Sequence, residues 1–155
     1  MKYKTIGAFA KGVQNVGYCK ATTDLKVGMG VILDRVAKTA SLPADDAEAK
    51  ACHRIVTNIN DKPEMHNFSE TLDVLKGECV RADDLTSVAN LEIEFAKYEI
   101  KDGDYDGLAA GDKLVFGTDG LIAKTADATG YKVYFEVIEK TAYMGLGLLA
   151  VIRVQ

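Results

Sequence analysis

The chain has 155 residues, 48% hydrophobic and 27% charged, which is the composition of one globular domain of ordinary size. Its formal net charge is −4 and its lysines are scattered singly, so it lacks the basic stripe that nucleic-acid phosphates require. Its longest apolar run, residues 146–152, is much shorter than a membrane helix. We therefore expect a single soluble domain that neither binds nucleic acid nor crosses a membrane.

The N-terminal residues 1–17 show no clear periodicity, and we expect them to form an extended arm. They contain no long apolar segment followed by a small-residue cleavage site, so a secretory signal peptide is not expected. Ile6, Phe9 and Val13 would need a surface to dock on, either on their own domain or on a neighbour's. Residues 18–155 are predicted to form one β-rich domain.

Glycines divide the chain into short apolar runs, at the spacing typical of short strands joined by tight turns. This pattern predicts an all-β fold, a small β-barrel or β-sandwich with at most one short helix. The glycines that mark the boundaries stand at positions 28, 30, 77, 103, 107, 111, 117, 120, 130, 145 and 147.

A weak internal repeat begins at Leu25. Residues 25–33 and 108–116 both read Leu-x-x-Gly-x-x followed by three apolar residues. Each copy is followed, after a turn, by the tetrapeptide Ala-Lys-Thr-Ala, at residues 37–40 and 123–126. This coincidence predicts two similar hairpins in one barrel.

One short helix is predicted in residues 44–52. Ser41 is a suitable N-cap residue, and Pro43 suits a first turn. Asp45 and Asp46 place negative charge near the N-terminus of the helix, where the helix dipole favours it.

Two strands are predicted from alternation of apolar and polar residues at period two. Leu91, Ile93 and Phe95 alternate with glutamates, and residues 131–138 alternate in the same way, so each strand should have one face in the core. Residues 148–154 are mostly apolar and partly β-branched. They predict a central strand that is buried on both faces or at an interface.

The clearest hairpin joins residues 114–116 to residues 121–123. The connecting sequence is Gly117-Thr118-Asp119-Gly120. Asp-Gly accepts the positive φ that tight hairpin turns require, so two antiparallel strands are predicted here.

The turn that contains Asp102, Asp104 and Asp106 resembles the first half of a calcium-binding loop. Alternating carboxylates and the glycine at Gly107 suit the oxygen ligands and sharp bend of such a loop. However, Lys113 stands where a bidentate glutamate is needed, and the flanking residues predict strands rather than helices. A solvated acidic turn is therefore preferred, and calcium binding stays an open alternative.

The cysteines Cys19, Cys52 and Cys79 are widely spaced and odd in number, which predicts reduced, buried thiols rather than disulfides or a zinc site. Cys52 precedes His53, but neighbouring side chains diverge on both strands and helices, so the pair is not expected to be a catalytic dyad. His66 is the other histidine, and no Gly-x-Ser-x-Gly motif occurs. We expect no catalytic residue, no metal ligand, no cofactor site and no enzymatic activity.

A small apolar cluster, Tyr143 and Met144, precedes Gly145. Such a cluster is more often part of a core than of an interface, although contact surfaces favour aromatic residues. Both interpretations stay open at this point.

Short predicted strands joined by Gly-Asp turns recur along the chain from about Tyr18 onward. The stretches are residues 76–81, 111–115, 119–120, 135–139 and 150–154. In this style the chain resembles the small head decoration proteins of tailed bacteriophages, which are also called capsid cement or auxiliary proteins. It departs from the shortest of these in residues 44–71, an insertion-like segment whose role is not assigned.

The resemblance implies a β-barrel or β-sandwich body on the outer surface of an expanded phage head. It implies a homotrimer at local three-fold positions, with the N-terminal arm in contact with the major capsid protein. The chain would be made in the host cytoplasm, end on the capsid surface of the virion, and stabilise the shell by clamping neighbouring subunits. Exposed β-edges could extend a neighbour's sheet.

Two alternatives of other kinds are retained. A structural component of a phage tail or connector would also be small, acidic and β-rich. A small-ligand-binding β-barrel would need a lined cavity with converging polar groups. A hydrolase ranks last, because no nucleophile and base can be identified.

Overall fold

The computed structural model describes residues 2–3, 15–58 and 73–155. Within these residues the chain forms thirteen β-strands, one short α-helix (α1, Asp46–Ala51) and three 3-10 turns (Leu85–Val88, Lys97–Glu99 and Tyr105–Gly107). The strands are β1 (Lys2–Tyr3), β2 (Asn15–Ala21), β3 (Leu25–Lys26), β4 (Gly30–Asp34), β5 (Thr39–Ser41), β6 (Arg54–Val56), β7 (Asp73–Val74), β8 (Cys79–Asp84), β9 (Glu92–Ala96), β10 (Lys113–Phe116), β11 (Ile122–Thr125), β12 (Val133–Thr141) and β13 (Gly147–Val154).

Five strands close into a barrel in the order β2-β5-β4-β6-β8. β2 runs parallel to β5, and the other pairs of the barrel are antiparallel. A five-stranded barrel has a narrow interior that small apolar side chains can fill. Its buried core consists of Cys19, Ala21, Leu25, Val31, Ala40, Val56, Val74, Val80 and Ala82.

Six strands form a second sheet in the order β1-β9-β13-β12-β10-β11. β13 lies between β9 and β12, which confirms the central strand predicted for residues 148–154. Three phenylalanines meet on the inner face of this sheet. The ring of Phe135 contacts those of Phe95 and Phe116 edge to face, at centroid distances of 4.9 and 5.4 Å.

The barrel packs on the inner face of the six-stranded sheet. Ile55 of β6 and Cys52 belong to the same buried cluster as Phe116 and Phe135. The N–H of Gly30 donates to the carbonyl of Gly120 across the junction, at 2.8 Å. The predicted all-β class with a small barrel and one short helix is confirmed.

The period-two strands are confirmed. In β12, residues 133, 135 and 137 are buried and the intervening residues are half-buried. In β9, Ile93 and Phe95 enter the core, while Glu94 on the opposite face is also buried, with 2% of its surface exposed. Both faces of β9 are therefore covered.

The hairpin predicted for residues 114–123 is also confirmed. β10 pairs with β11 in an antiparallel register that sets Phe116 opposite Ile122. Gly120 has φ +75°, as the Asp-Gly turn requires. Leu121 lies in the turn rather than in the strand.

The internal repeat produces two hairpins, but the prediction that both lie in one barrel is wrong. β4 and β5 belong to the barrel, whereas β10 and β11 belong to the six-stranded sheet. The shared glycines behave alike, since Gly28 and Gly111 have φ +92° and +87°. The two copies of the shared tetrapeptide differ in conformation, because residues 37–38 lie in a turn and residues 123–125 lie within β11.

The helix is confirmed but begins later than predicted. Its N-cap is Asp45, whose side chain accepts the N–H of Glu48 at 2.9 Å. The carboxylate of Glu48 accepts the N–H of Ala44 at 2.8 Å in return, so side chains satisfy the backbone N–H groups of both Glu48 and Ala44 at the start of the helix. Ser41 is not the cap, because it pairs with Ile32 in the barrel.

The predicted N-terminal arm is described only in part. β2 begins at Asn15, ahead of the predicted boundary at Tyr18, and the backbone of β1 pairs with β9 of the chain's own sheet. Residues 4–14, which include the apolar residues of the arm, lie outside the described residues. Residues 59–72, which include His66 and the second part of the insertion-like segment, do so as well.

Candidate functional site

The adjacent Cys52 and His53 do not form a catalytic pair. The Cys52 thiol is buried and donates to the carbonyls of Val31 and Arg54, at 3.6 and 3.7 Å. Burial raises the pKa of Cys52 to about 12, so the reactive thiolate is suppressed. His53 places Nδ1 2.9 Å from the carbonyl of Ala51 instead.

The three cysteines are free, but the prediction that all are buried is wrong for Cys79. Cys79 pairs with Lys20 and Cys19 with Val80 across β2 and β8. Neighbouring positions on a strand point to opposite sides, so Cys19 faces the barrel interior and Cys79 faces solvent. Burial raises the pKa of the Cys19 thiol.

The acidic turn contacts backbone and lysine groups. The Asp104 carboxylate accepts the N–H of Lys124 at 2.8 Å, and that of Asp106 lies 3.4 Å from Nζ of Lys97. Among residues 2–3, 15–58 and 73–155, no group of three His, Cys, Asp or Glu side chains could hold a metal ion. Asp102, Asp104 and Asp106 are therefore not gathered around a common centre.

This turn covers the outer edge of β11. Ile100 forms a parallel bridge with Ile122, and the N–H of Lys101 donates to the carbonyl of Ile122 at 2.7 Å. Together with the bond from Lys124 to Asp104, these contacts occupy the edge that a neighbouring strand would need.

A buried ion pair connects two strands of the barrel. Arg54 of β6 and Asp84 of β8 are 3.0 Å apart, with 8% and 14% of their side chains exposed. Burial opposes ionisation of Asp84, but hydrogen bonds from Thr86 and the charge of Arg54 lower its pKa below the usual value. The pair links β6 to the end of β8, and the same carboxylate accepts the N–H and the hydroxyl of Thr86 in the 3-10 turn that follows.

A second buried acid, Glu99, lies between the barrel and the six-stranded sheet. Its carboxylate accepts the N–H of Ala96 at 2.7 Å and closes over Gly28, where an added Cβ would lie 2.7 Å from the carboxyl carbon. Burial raises the pKa of Glu99. Tyr143 lies close by, and burial followed by the charges of Glu99 and Glu94 raises its pKa.

An open groove of about 410 Å³ lies beside α1. Small residues and lysine stems form most of its walls, and Nζ of Lys50 lies 5.9 Å from the ring centroid of Tyr131. The groove is outside the barrel, whose interior is packed with side chains. It is lined by Ala47, Lys50, Ala51, Gly130, Tyr131, Lys132 and Gln155.

Large apolar side chains are exposed at several turns. Val36 is 94% exposed at the tip of the β4–β5 hairpin, and Leu75 is 49% exposed in the turn before β8. Met144 and Leu146 are 46% and 51% exposed in the turn between β12 and β13. The sequence indicated the cluster at Met144 but missed Val36 and Leu75, whose only signal is one apolar residue among turn residues.

Two lysines flank the turn between β12 and β13. The N–H of Lys97 donates to the carbonyl of Leu146 at 2.8 Å. Nζ of Lys97 and Nζ of Lys140 lie 5.2 and 5.0 Å from the ring centroid of Tyr105, within the range of cation–π attraction. The Tyr105 hydroxyl donates to the carbonyl of Gly147 at 3.0 Å, so the ring holds both lysines at the base of the hairpin.

These contacts define one surface, the hairpin-tip patch, formed by Met144, Leu146, Lys97 and Lys140.

No protein-family model matches the chain, and no curated protein or solved structure matches it significantly. Among the helices of the described residues, none is long and apolar enough to cross a membrane.

Proposed function

We propose that this protein is a structural virion protein that binds the outer surface of a phage head and stabilises the shell by clamping neighbouring major capsid subunits. The observation that carries the proposal is the placement of exposed apolar side chains at the turns of a closely packed all-β body. Val36, Leu75, Met144 and Leu146 all occupy such turns. Burial of apolar surface contributes roughly 25 cal/mol per Å² to association, so these side chains are suited to protein contact.

The turns are fixed before any partner binds. The Asp34 carboxylate accepts the N–H groups of Val36 and Ala37, both at 2.8 Å. The Glu78 carboxylate accepts the N–H of Leu75 at 2.9 Å. Prearranged contact groups lose less conformational entropy on binding, which favours a clamp made of small contacts.

The clamp would stabilise the shell through many weak contacts rather than through one strong contact. Copies at symmetry-related positions repeat the same contacts on every shell subunit, and a homotrimer, as the resemblance implies, would link several subunits at once. A strand of a shell subunit could not pair with β11, because residues 100–104 already occupy the edge of β11. On this side of the molecule, turns would therefore contact the shell.

The proposal is tested by the copy number of the chain in purified virus particles, measured by quantitative mass spectrometry. A ratio to the major shell protein of about one, or a simple fraction of one, is expected from the symmetry of the shell. A few copies per particle would favour the tail or connector alternative, and formation of rings or tubes by the purified protein would support that alternative. Absence from particles would reject a virion role.

A further inference from the structure

We propose that the hairpin-tip patch is the surface that inserts into an acidic recess with an apolar floor on the partner protein. The inference depends on the proposed function, to which it adds the contact surface on this chain and the chemistry of the surface it meets. The patch is singled out because it combines exposed apolar side chains with adjacent cations.

The apolar part of the patch is presented by a constrained turn. Met144 has φ +50°, a conformation that costs energy for any residue with a Cβ, and Gly145 follows with φ +85°. Gly147 closes the turn so tightly that an added Cβ would lie 2.7 Å from Oγ1 of Thr141. Met144 and Leu146 are thus held outward on a fixed support instead of folding back onto the protein.

The charged part of the patch is positive on a chain whose net charge is −4. Lys97 and Lys140 are held by the ring of Tyr105, and Nζ of Lys140 also donates to the carbonyl of Asp106 at 2.9 Å. The one carboxylate that pairs with them in the described residues is that of Asp106, 3.4 Å from Lys97 and 81% exposed. Glu94 and Glu99 lie on nearby elements but are buried and engaged in contacts of their own. Complementary charge on a partner is therefore negative.

A protein partner fits this surface better than a bilayer or a nucleic acid. Two exposed apolar side chains on an acidic chain bury little in a membrane, and stable anchoring on lipid requires more than one signal. Two lysines, one already paired, neutralise few phosphates, so affinity for nucleic acid would be small. A shaped protein recess can use both the apolar and the charged part together.

The test uses particles assembled without this chain, to which the purified protein is added, with bound copies measured by mass spectrometry. Met144→Ser/Leu146→Ser is expected to weaken binding at least about tenfold, the loss typical of removing central contacts. Lys97→Gln/Lys140→Gln should weaken binding at about 50 mM salt and reduce the difference between about 50 and about 300 mM, because charge attraction is screened. Each variant is first shown to keep the wild-type melting temperature.

Tyr18→Ser and Lys20→Gln are the matched controls, since Tyr18 and Leu146 have nearly the same exposure, 50% and 51%, and both control residues lie on strand β2 rather than at one of the proposed contact turns. Both controls should bind like the wild-type protein. If wild type binds and the patch variants bind equally well, or if the controls lose as much, the inference is wrong while the proposed function stands. Failure of wild type to bind any particle would reject the proposed function itself. Equal binding to anionic vesicles would overturn the choice of a protein partner.

Discussion

Glu99 is a buried acidic residue between the barrel and the six-stranded sheet. A carboxylate that is 2% exposed would normally be neutralised or hydrogen-bonded, and Glu99 is bonded to the backbone N–H of Ala96. The space that its carboxylate occupies exists because residue 28 is glycine, with φ +92° and no Cβ. The raised pKa of Glu99 means that the folded protein holds a proton there more tightly than the unfolded chain does.

This proton affinity predicts a pH dependence of stability. Because the folded-state pKa of Glu99 is raised, its effect on the free energy of unfolding is absent at low pH, where both states are protonated. Stability then falls as pH rises from the usual value near 4.5 through the folded-state pKa. Glu99→Gln should flatten this part of the profile, measured by urea unfolding between about pH 4 and pH 7.

Glu139→Gln is the control, since Glu139 is an exposed glutamate on β12 and its substitution makes the same change in net charge. The control should keep the wild-type profile. If Glu99→Gln also keeps the wild-type slope, the pH dependence in this range comes from other groups.

Among the elements, β4 and the β10–β11 hairpin bring the barrel into close contact with the sheet. A Cβ on Gly30 would lie 2.5 Å from the ring of Phe116 and 3.0 Å from the sulfur of Cys52. The same glycine donates its N–H to Gly120 in the hairpin turn. Any side chain at position 30 would therefore push the barrel away from the sheet.

Gly30→Ala is expected to lower the free energy of unfolding by about 1–3 kcal/mol, the usual cost of overpacking a closely packed core. Gly107→Ala is the control, because an added Cβ there meets no atom within 4 Å. Chemical denaturation of both variants against wild type provides the measurement. Equal stability of the Gly30 variant would show that the junction can relax around an extra methyl group.

The elements also show what could be predicted from sequence. The alternation in β12, the apolar run of β13 and the Asp-Gly turn before β11 are local patterns, and the structure confirms all three. The assignment of the two hairpins to different sheets is not local. It depends on packing of Ile55 and Gly30 against Phe116, which no spacing within one segment encodes.

The candidate site was predictable to a similar extent. The cluster at Met144 was visible as an apolar pair before a glycine, but the two lysines beside it come from separate strands and turns. Lys97 and Lys140 meet because both reach the ring of Tyr105 and both contact Asp106, through its carboxylate at 3.4 Å and its carbonyl at 2.9 Å. A contact that joins three distant segments leaves no spacing signal in the chain.

At the scale of the whole molecule, the shared core joins the barrel to the six-stranded sheet. Ile55 and Cys52 complete the cluster that contains the phenylalanines of the sheet, so these residues are buried in the core that they share with the sheet. Val36 projects from the barrel, whereas Met144 and Leu146 project from the sheet. A clamp that uses both sets of turns needs the two parts to behave as one rigid unit.

We therefore expect barrel and sheet to unfold in one cooperative transition. In hydrogen exchange measured by mass spectrometry, the slowest amides of β6 and of β13 should give the same free energy of opening, because both exchange only through global unfolding. Gly30→Ala should lower both values equally, since it weakens the contact that they share. If the barrel amides alone became less protected, the barrel would be unfolding independently of the sheet. Val36 and the hairpin-tip patch would then not belong to one rigid unit, as a clamp that uses both requires.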